Sequence, residues 1–259
     1  MKKLFWRLTL SYVVSLMAVA IFYFRFQSES HVLWPNPDSL EHPRIYTDLR
    51  EGGFSTAEFL ENDSVLTIQA ILNSGIYHPH AGAEFRLLKG VESLSLQGVD
   101  FSNIDSVAIT FRSNADIALV FYTVDPKISK VGDVLSLRPV RLDIPATRYY
   151  TEHRLPLSRV RTNPIWFDMQ GVEPDSLLYL DHVAQVAVET GKGALLGLPT
   201  EIEIQKLEFL GANRCTRFLC LIILVLVTGI YLWGILKIYG KPSTGRKDAR
   251  WYRLGKYKA

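Results

Sequence analysis

The chain has 259 residues, 48% of them hydrophobic and 21% charged, with a formal net charge of +3. From Lys237 onward eight basic residues face one acidic residue, a net of +7, so everything before it carries −4. A mildly acidic body excludes a broad basic face for nucleic acid, and a count of two cysteines excludes a disulfide-stapled domain.

Residues 1–7 carry Lys2, Lys3 and Arg7. Leu8 to Phe24 follows as an uncharged apolar run of 17 residues, and Phe218 to Leu236 is a second of 19. At about 1.5 Å per residue, each crosses a hydrocarbon core of roughly 30 Å when flanking residues snorkel. Excess Lys and Arg mark the cytoplasmic side. Segments 1–7 and 237–259 are therefore expected in the cytoplasm, in a two-pass protein of the inner (cytoplasmic) membrane. The large middle segment is expected to be extracytoplasmic or periplasmic. Arg25, Arg214 and Arg217 stand on that far side and weaken the contrast without reversing it. The basic tail is expected to lie against anionic lipid, which is attracted by about 1 kcal/mol per Lys or Arg. A cleaved signal peptide is the rival reading of the first run, since Ala18-Val19-Ala20 has A-x-A spacing. Ile21 to Phe24 continue the apolar stretch past that point and favour an uncleaved anchor. Cys215 and Cys220 fall at or inside the second run, leaving the middle segment without cysteine.

Residues 25–61 are polar with scattered prolines and are expected to form a stalk leading onto the edge of a domain at 62–213. Ser64 to Leu72 alternates, with Leu66, Ile68, Ala70 and Leu72 on one face. Ala83–Leu88, Arg148–Leu155, Val183–Glu189 and Glu201–Leu210 are further strand candidates. Ser106–Arg112 and Ile117–Thr123 are separated by Ser113-Asn114-Ala115-Asp116, the signature of a hairpin. With no helix evident outside the two apolar runs, an antiparallel β-sandwich is expected.

Several segments carry a family resemblance. Tyr77, Pro79, Ala81 and Gly82 match a turn of Tyr-x-Pro-x-Ala-Gly type, and Asp100 to Ser106 match a turn entering a central strand. Leu155 to Ser158 with Pro164 to Trp166, and the run Ile202 to Gly211, complete the set. Together, over about Ser64 to Gly211, these resemble the galactose-binding-like jelly roll, in the branch of complex-I-intermediate-associated proteins and family-11 carbohydrate-binding modules. The expected architecture is thus an all-β extracytoplasmic jelly-roll sandwich flanked by two transmembrane α-helices. Folding alone assigns roles to these residues: positive φ at Gly82 and Gly211, and a strand entrance at Pro164.

By the same resemblance, sugars bind on a concave sheet or on the loops at one end, through aromatic rings and polar side chains. That makes Arg112, Tyr122, Tyr149, Tyr150 and Trp166 ligand candidates, with Tyr77, His78 and His80 on a loop. Trp166, among apolar neighbours, is more often a core residue, and either Tyr122 or its neighbour Phe121 must face outward or toward a groove. His78-Pro79-His80 has no third ligand close by in sequence, so no metal is expected. Gly191-Lys192-Gly193 lacks the full phosphate-loop spacing. Without a nucleophile–base constellation, neither catalysis nor a cofactor is expected. The sequence points to a membrane-anchored binding or sensor module for a carbohydrate or small polar ligand, signalling through its spans or through a membrane or cytoplasmic protein partner. The alternative is a structural or assembly factor for a membrane complex.

Overall fold

The structure, a computed structural model, describes residues 2–35, 42–60, 64–87 and 96–239. From residue 240 the basic tail lies outside the described residues, as do residues 36–41 and 61–63 and Leu88 of an expected strand. The chain divides into two units, one of residues 28–212 and one joining residues 1–27 to 213–259.

The 28–212 unit is a sandwich of antiparallel strands. In chain order they are β1 (Ser28–Trp34), β2 (Arg44–Thr47), β3 (Thr56–Leu60), β4 (Leu66–Ile71), β5 (Ala81–Arg86), β6 (Ile104–Ser113), β7 (Ile117–Thr123), β8 (Arg138–Ile144), β9 (Thr151–Pro156), β10 (Arg161–Thr162), β11 (Val183–Thr190) and β12 (Pro199–Ala212). The first sheet has the order β3-β4-β12-β6-β9, with β1 also on β12; the second is β10-β8-β7-β11-β5-β2. β12 is long enough for two partners on one edge: its first half pairs with β4 and its second half with β1.

Alternation makes the core. Ile68, Ile109, Phe111, Ile202 and Ile204 of the first sheet meet Phe85, Leu119, Phe121, Val140 and Val188 of the second. Along β12 the inward set changes phase, from Ile202 and Ile204 to Leu207 and Phe209, because a bulge at residue 205 inserts an extra position opposite β6. Without it, the second half of β12 would turn its apolar face to solvent.

Four expectations are corrected. The segment read as a stalk supplies β1, β2 and β3, whose apolar signal is faint because β1 buries Leu33 alone and β3 buries no residue fully. Ser113 to Asp116 is a crossover between the two sheets and not a hairpin. Its polar side chains face different loops: Asn114 accepts from Glu201 N at 3.0 Å, while Asp116 accepts from Ala146 N at 2.8 Å. Pro164 opens a helix, α2 (Pro164–Gln170), where a missing N–H costs nothing, and Asn163 caps it by accepting from Ile165 N at 3.1 Å. Gly82 and Gly211 do not have positive φ. They are glycines because another backbone lies against them. A Cβ on Gly82 would sit 2.0 Å from the Val188 carbonyl oxygen, and one on Gly211 would sit 2.2 Å from that of Asn103. Gly82→Ala is expected to push β5 from β11 and cost about 1–3 kcal/mol, read as a lower urea midpoint at unchanged slope.

The second unit is a pair of long helices, α1 (Lys2–Phe26) and α3 (Arg214–Tyr239). Both are long and apolar enough to cross a membrane. They run antiparallel, with the Tyr12 and Tyr231 rings stacked at 4.2 Å. The Tyr12 hydroxyl lies 3.3 Å from that of Thr228, and Leu8 packs against the bare face of Gly234. Small residues and shared hydroxyls of this kind hold helices together in lipid.

Candidate functional site

The outer face of the first sheet follows from the inner one. With Ile202 and Ile204 inward, Glu201 and Glu203 point outward on β12, and Arg112 does the same on β6 beside the buried Phe111. The register places Arg112 directly opposite Glu203, and the two form an ion pair. The Tyr150 hydroxyl, from the loop after β8, donates to the same carboxylate. Its ring lies 5.2 Å beneath the Arg112 guanidinium. An open pocket of about 310 Å³ stands over this group, lined by Arg112, Ser113, Asn114, Thr147, Arg148, Glu201 and Glu203.

The charges are arranged unequally. Burial alone would raise the Glu203 carboxyl, but hydrogen bonds from Arg112, Tyr150 and Glu201 outweigh it and hold the group at about 2. Glu201 moves the other way: its hydrogen bond with Glu203, then burial, raise it. A lowered carboxyl stabilises the fold above its unfolded value and loses that contribution as pH falls through the folded one, so the Arg112–Glu203 pair persists to about pH 2. A raised carboxyl has the opposite sign. Glu201 stabilises the fold below its unfolded value and loses this as pH rises through its raised value. Glu201→Gln is therefore expected to raise the melting temperature at pH 7 and to lose that advantage near pH 4, in parallel thermal melts.

The sequence candidates separate here. Arg112 and Tyr150 come together on Glu203, whereas Tyr149, the preceding residue in the chain, is 81% exposed and its side chain makes no hydrogen bond or ring contact with them among the described residues. Tyr122 does not join them. It is buried on the second sheet, its hydroxyl bonded to that of Tyr46, and burial raises both phenols well above their ordinary value. Trp166 is also a core residue, 5% exposed on α2, with its indole N–H donating to the Leu135 carbonyl at 3.3 Å. β7 is buried along its whole length, so neither Phe121 nor Tyr122 faces solvent. Tyr77, His78 and His80 lie on the β4–β5 loop. Tyr77 is exposed and edge-on to His78, whereas His80 stacks on Tyr46 at 5.0 Å. Glu201, Glu203, Asn114, Thr147 and Arg148 escaped the sequence reading. The alternation Glu-Ile-Glu-Ile, which sets two carboxylates on one outer face, was the signal available for the first two.

No protein-family model matches the chain, and no curated protein matches it. Among solved structures, the chain is similar to the family 11 carbohydrate-binding module of a cellulosomal cellulase of Clostridium thermocellum. That match has 11% identity and a TM-score of 0.49 over 72% of this chain and 96% of the other. A family 30 module from the same organism matches at 10% identity and TM-score 0.39, covering 72% and 99%. A family 29 module from Piromyces equi matches at 7% and 0.38, covering 71% and 91%. At these TM-scores the likeness says nothing of ligand or activity. The sandwich is established by its own strand pairing.

Proposed function

We propose that the chain is a membrane-anchored binding module that takes a carbohydrate or another small hydroxyl-rich ligand at the Arg112 pocket. One observation carries this reading: cationic donors and carboxylate acceptors line one open pocket, with the Tyr150 ring against the Arg112 guanidinium. Arg112, Arg148, Asn114 and Thr147 offer donors, while Glu201 and Glu203 accept, which suits vicinal hydroxyls. The two tyrosine rings offer flat faces to sugar C–H groups. A second cleft of about 280 Å³ lies at the other half of β12, lined by Glu29, Asp105, Arg154 and Glu208 among others. Ile202 and Phe209 are seven steps apart along the strand, about 23 Å, a span that suits an extended oligomer.

Binding without catalysis fits the carboxylates. Glu201 and Glu203 share a hydrogen bond, whereas paired-carboxylate glycoside hydrolysis needs about 5 Å or more between the groups. The two apolar helices, entering at β1 and leaving from β12, anchor the sandwich outside a cytoplasmic membrane in this reading. A ligand that favours one arrangement of the helix pair would pass its signal there or to a partner.

A glycan-array screen of the intact chain in detergent micelles tests the proposal, with Arg112→Ala alongside. Binding of a specific saccharide, weakened about tenfold or more by the variant, is the expected result, since hydrogen bonds to charged groups contribute about 1.5–3 kcal/mol. A blank array from folded protein, or binding indifferent to Arg112, would refute it.

The assembly-factor reading has its own observation. Leu49, Phe54, Tyr77, Leu195, Leu196 and Leu198 are each more than half exposed. Their loops are tied at one end of the sandwich by Asp48 N to His80 O, Asn73 Nδ2 to Phe54 O and Gly197 N to Leu72 O. An apolar patch of this kind favours a protein partner.

A further inference from the structure

Most polar groups around the Arg112 pocket are already bonded within the fold. Glu203 accepts from Arg112 with one carboxylate oxygen and from Tyr150 with the other. Asn114 uses both ends of its amide: Nδ2 donates to the Pro199 carbonyl at 3.2 Å, and Oδ1 accepts from Glu201 N at 3.0 Å. Thr147 Oγ1 donates to the Tyr149 carbonyl at 2.8 Å. Arg148 is the exception. It lines the pocket, is exposed, and has no hydrogen bond or ion pair among the described residues. The backbone that carries it is nevertheless fastened on both sides. Ala146 N donates to Asp116 Oδ1 at 2.8 Å, Ser113 N to the Thr147 carbonyl at 2.8 Å, and Thr151 Oγ1 to the Tyr149 carbonyl at 3.1 Å. An unanswered cation therefore stands at a fixed place on the pocket wall. The charges agree with this. The hydrogen bond between Glu201 and Glu203 needs a proton, since two ionised carboxylates have none to share. With that proton in place, the cations of Arg112 and Arg148 face one carboxylate, and a positive charge is left for a ligand.

We propose that the pocket takes an acidic saccharide and that Arg148 binds the carboxylate of its uronate residue. The inference rests on the carbohydrate-binding reading above and names the class of sugar. A guanidinium presents two parallel N–H groups that match both oxygens of a carboxylate, a pairing that a lone hydroxyl has no second oxygen to complete. Arg148 then sets the specificity for charge, while Arg112, held by Glu203, serves the hydroxyls. A sulfate ester carries the same charge on tetrahedral oxygens and is the competing ligand chemistry.

The test titrates the intact chain in detergent micelles with oligomers of galacturonate, mannuronate and glucuronate, at about pH 6, where a uronate carboxyl is ionised. Each oligomer is paired with its carboxyl-reduced form, which keeps the ring hydroxyls and loses the charge. A sulfated neutral oligomer of the same length is included, and binding is read by isothermal titration calorimetry. At least one uronate should bind roughly tenfold or more tightly than its reduced form. Arg148→Gln should erase that preference and leave the reduced form binding as before. Arg148→Lys, which keeps the charge without the fork, should recover part of it. Three results would overturn the inference and leave the Arg112 reading standing: uronates bound no better than their reduced forms, a preference untouched by Arg148→Gln, or the sulfated oligomer bound as tightly as the best uronate. No binding of any oligomer, charged or neutral, by folded protein would refute that reading as well.

Discussion

Arg138→Ala is expected to destabilise the sandwich by about 3–5 kcal/mol, the usual cost of stripping one partner from a buried ion pair. Arg138 is 1% exposed at the start of β8, and its guanidinium donates to Asp125, itself 1% exposed, at 2.6 Å. It also donates to Asp175 and to the Leu177 carbonyl, which fastens the extended segment after α2. Trp166, Phe167 and Tyr179 surround it at 5.1, 5.0 and 5.0 Å, so the cation is held by ring faces as well as carboxylates. Alanine would leave the Asp125 carboxylate buried without its arginine, keeping only the hydrogen bond from Lys127 N at 2.9 Å. Arg138→Met combined with Asp125→Leu removes both charges and should recover most of the loss, in urea unfolding followed by tryptophan fluorescence. The pH dependence has a definite sign. The hydrogen bond from Arg138 lowers the Asp175 carboxyl, so this contribution is present above the unfolded value of Asp and fades as pH falls through the folded one. The penalty of Arg138→Ala should therefore shrink in acid. A loss under 1 kcal/mol at pH 7 would contradict the buried pair.

Phe209→Ala should cost about as much, 3–5 kcal/mol, for a different reason: a cavity where the two sheets meet. Phe209 of β12 contacts Phe121 of β7 at 5.5 Å, and both contact Phe101, at 4.8 and 6.4 Å. Each ring is 1% exposed or less. The position also tests the bulge at residue 205, because Phe209 points inward only after that phase change. Glu208→Ala, one residue away and outward, should change stability by under about 0.5 kcal/mol. Equal penalties at the two positions in urea unfolding would show that the second half of β12 has the other register.

The strands legible in the sequence were those that bury one face cleanly. Leu66, Ile68 and Ala70 announce β4, and Ile202 with Ile204 announces β12. β8 has the same alternation in Val140, Leu142 and Ile144, with Arg141 and Asp143 outward, but is not among the expected strands. β1 and β3 bury too little for periodicity to register. α2 lasts barely two turns, so Asn163-Pro164 and Gly171 were its whole signal. The crossover at Ser113–Asp116 could not be told from a hairpin locally, because what decides it is the docking of Asn114 beside residues 199–201. The site was half legible for the same reason. Arg112 and Tyr150 are residue types that bind sugars, but Glu203 pairs with Arg112 across 91 positions through strand register. Tyr122 and Trp166 share that chemistry, and only burial sets them apart.

The most direct test of a polar-ligand site on the first sheet is hydrogen exchange on the intact chain, with and without the saccharide that ranks highest on the array. The account predicts added protection at residues 110–114, 147–151 and 201–204. Protection confined to the second sheet, around Tyr46, Glu84 and Gln185, would contradict it.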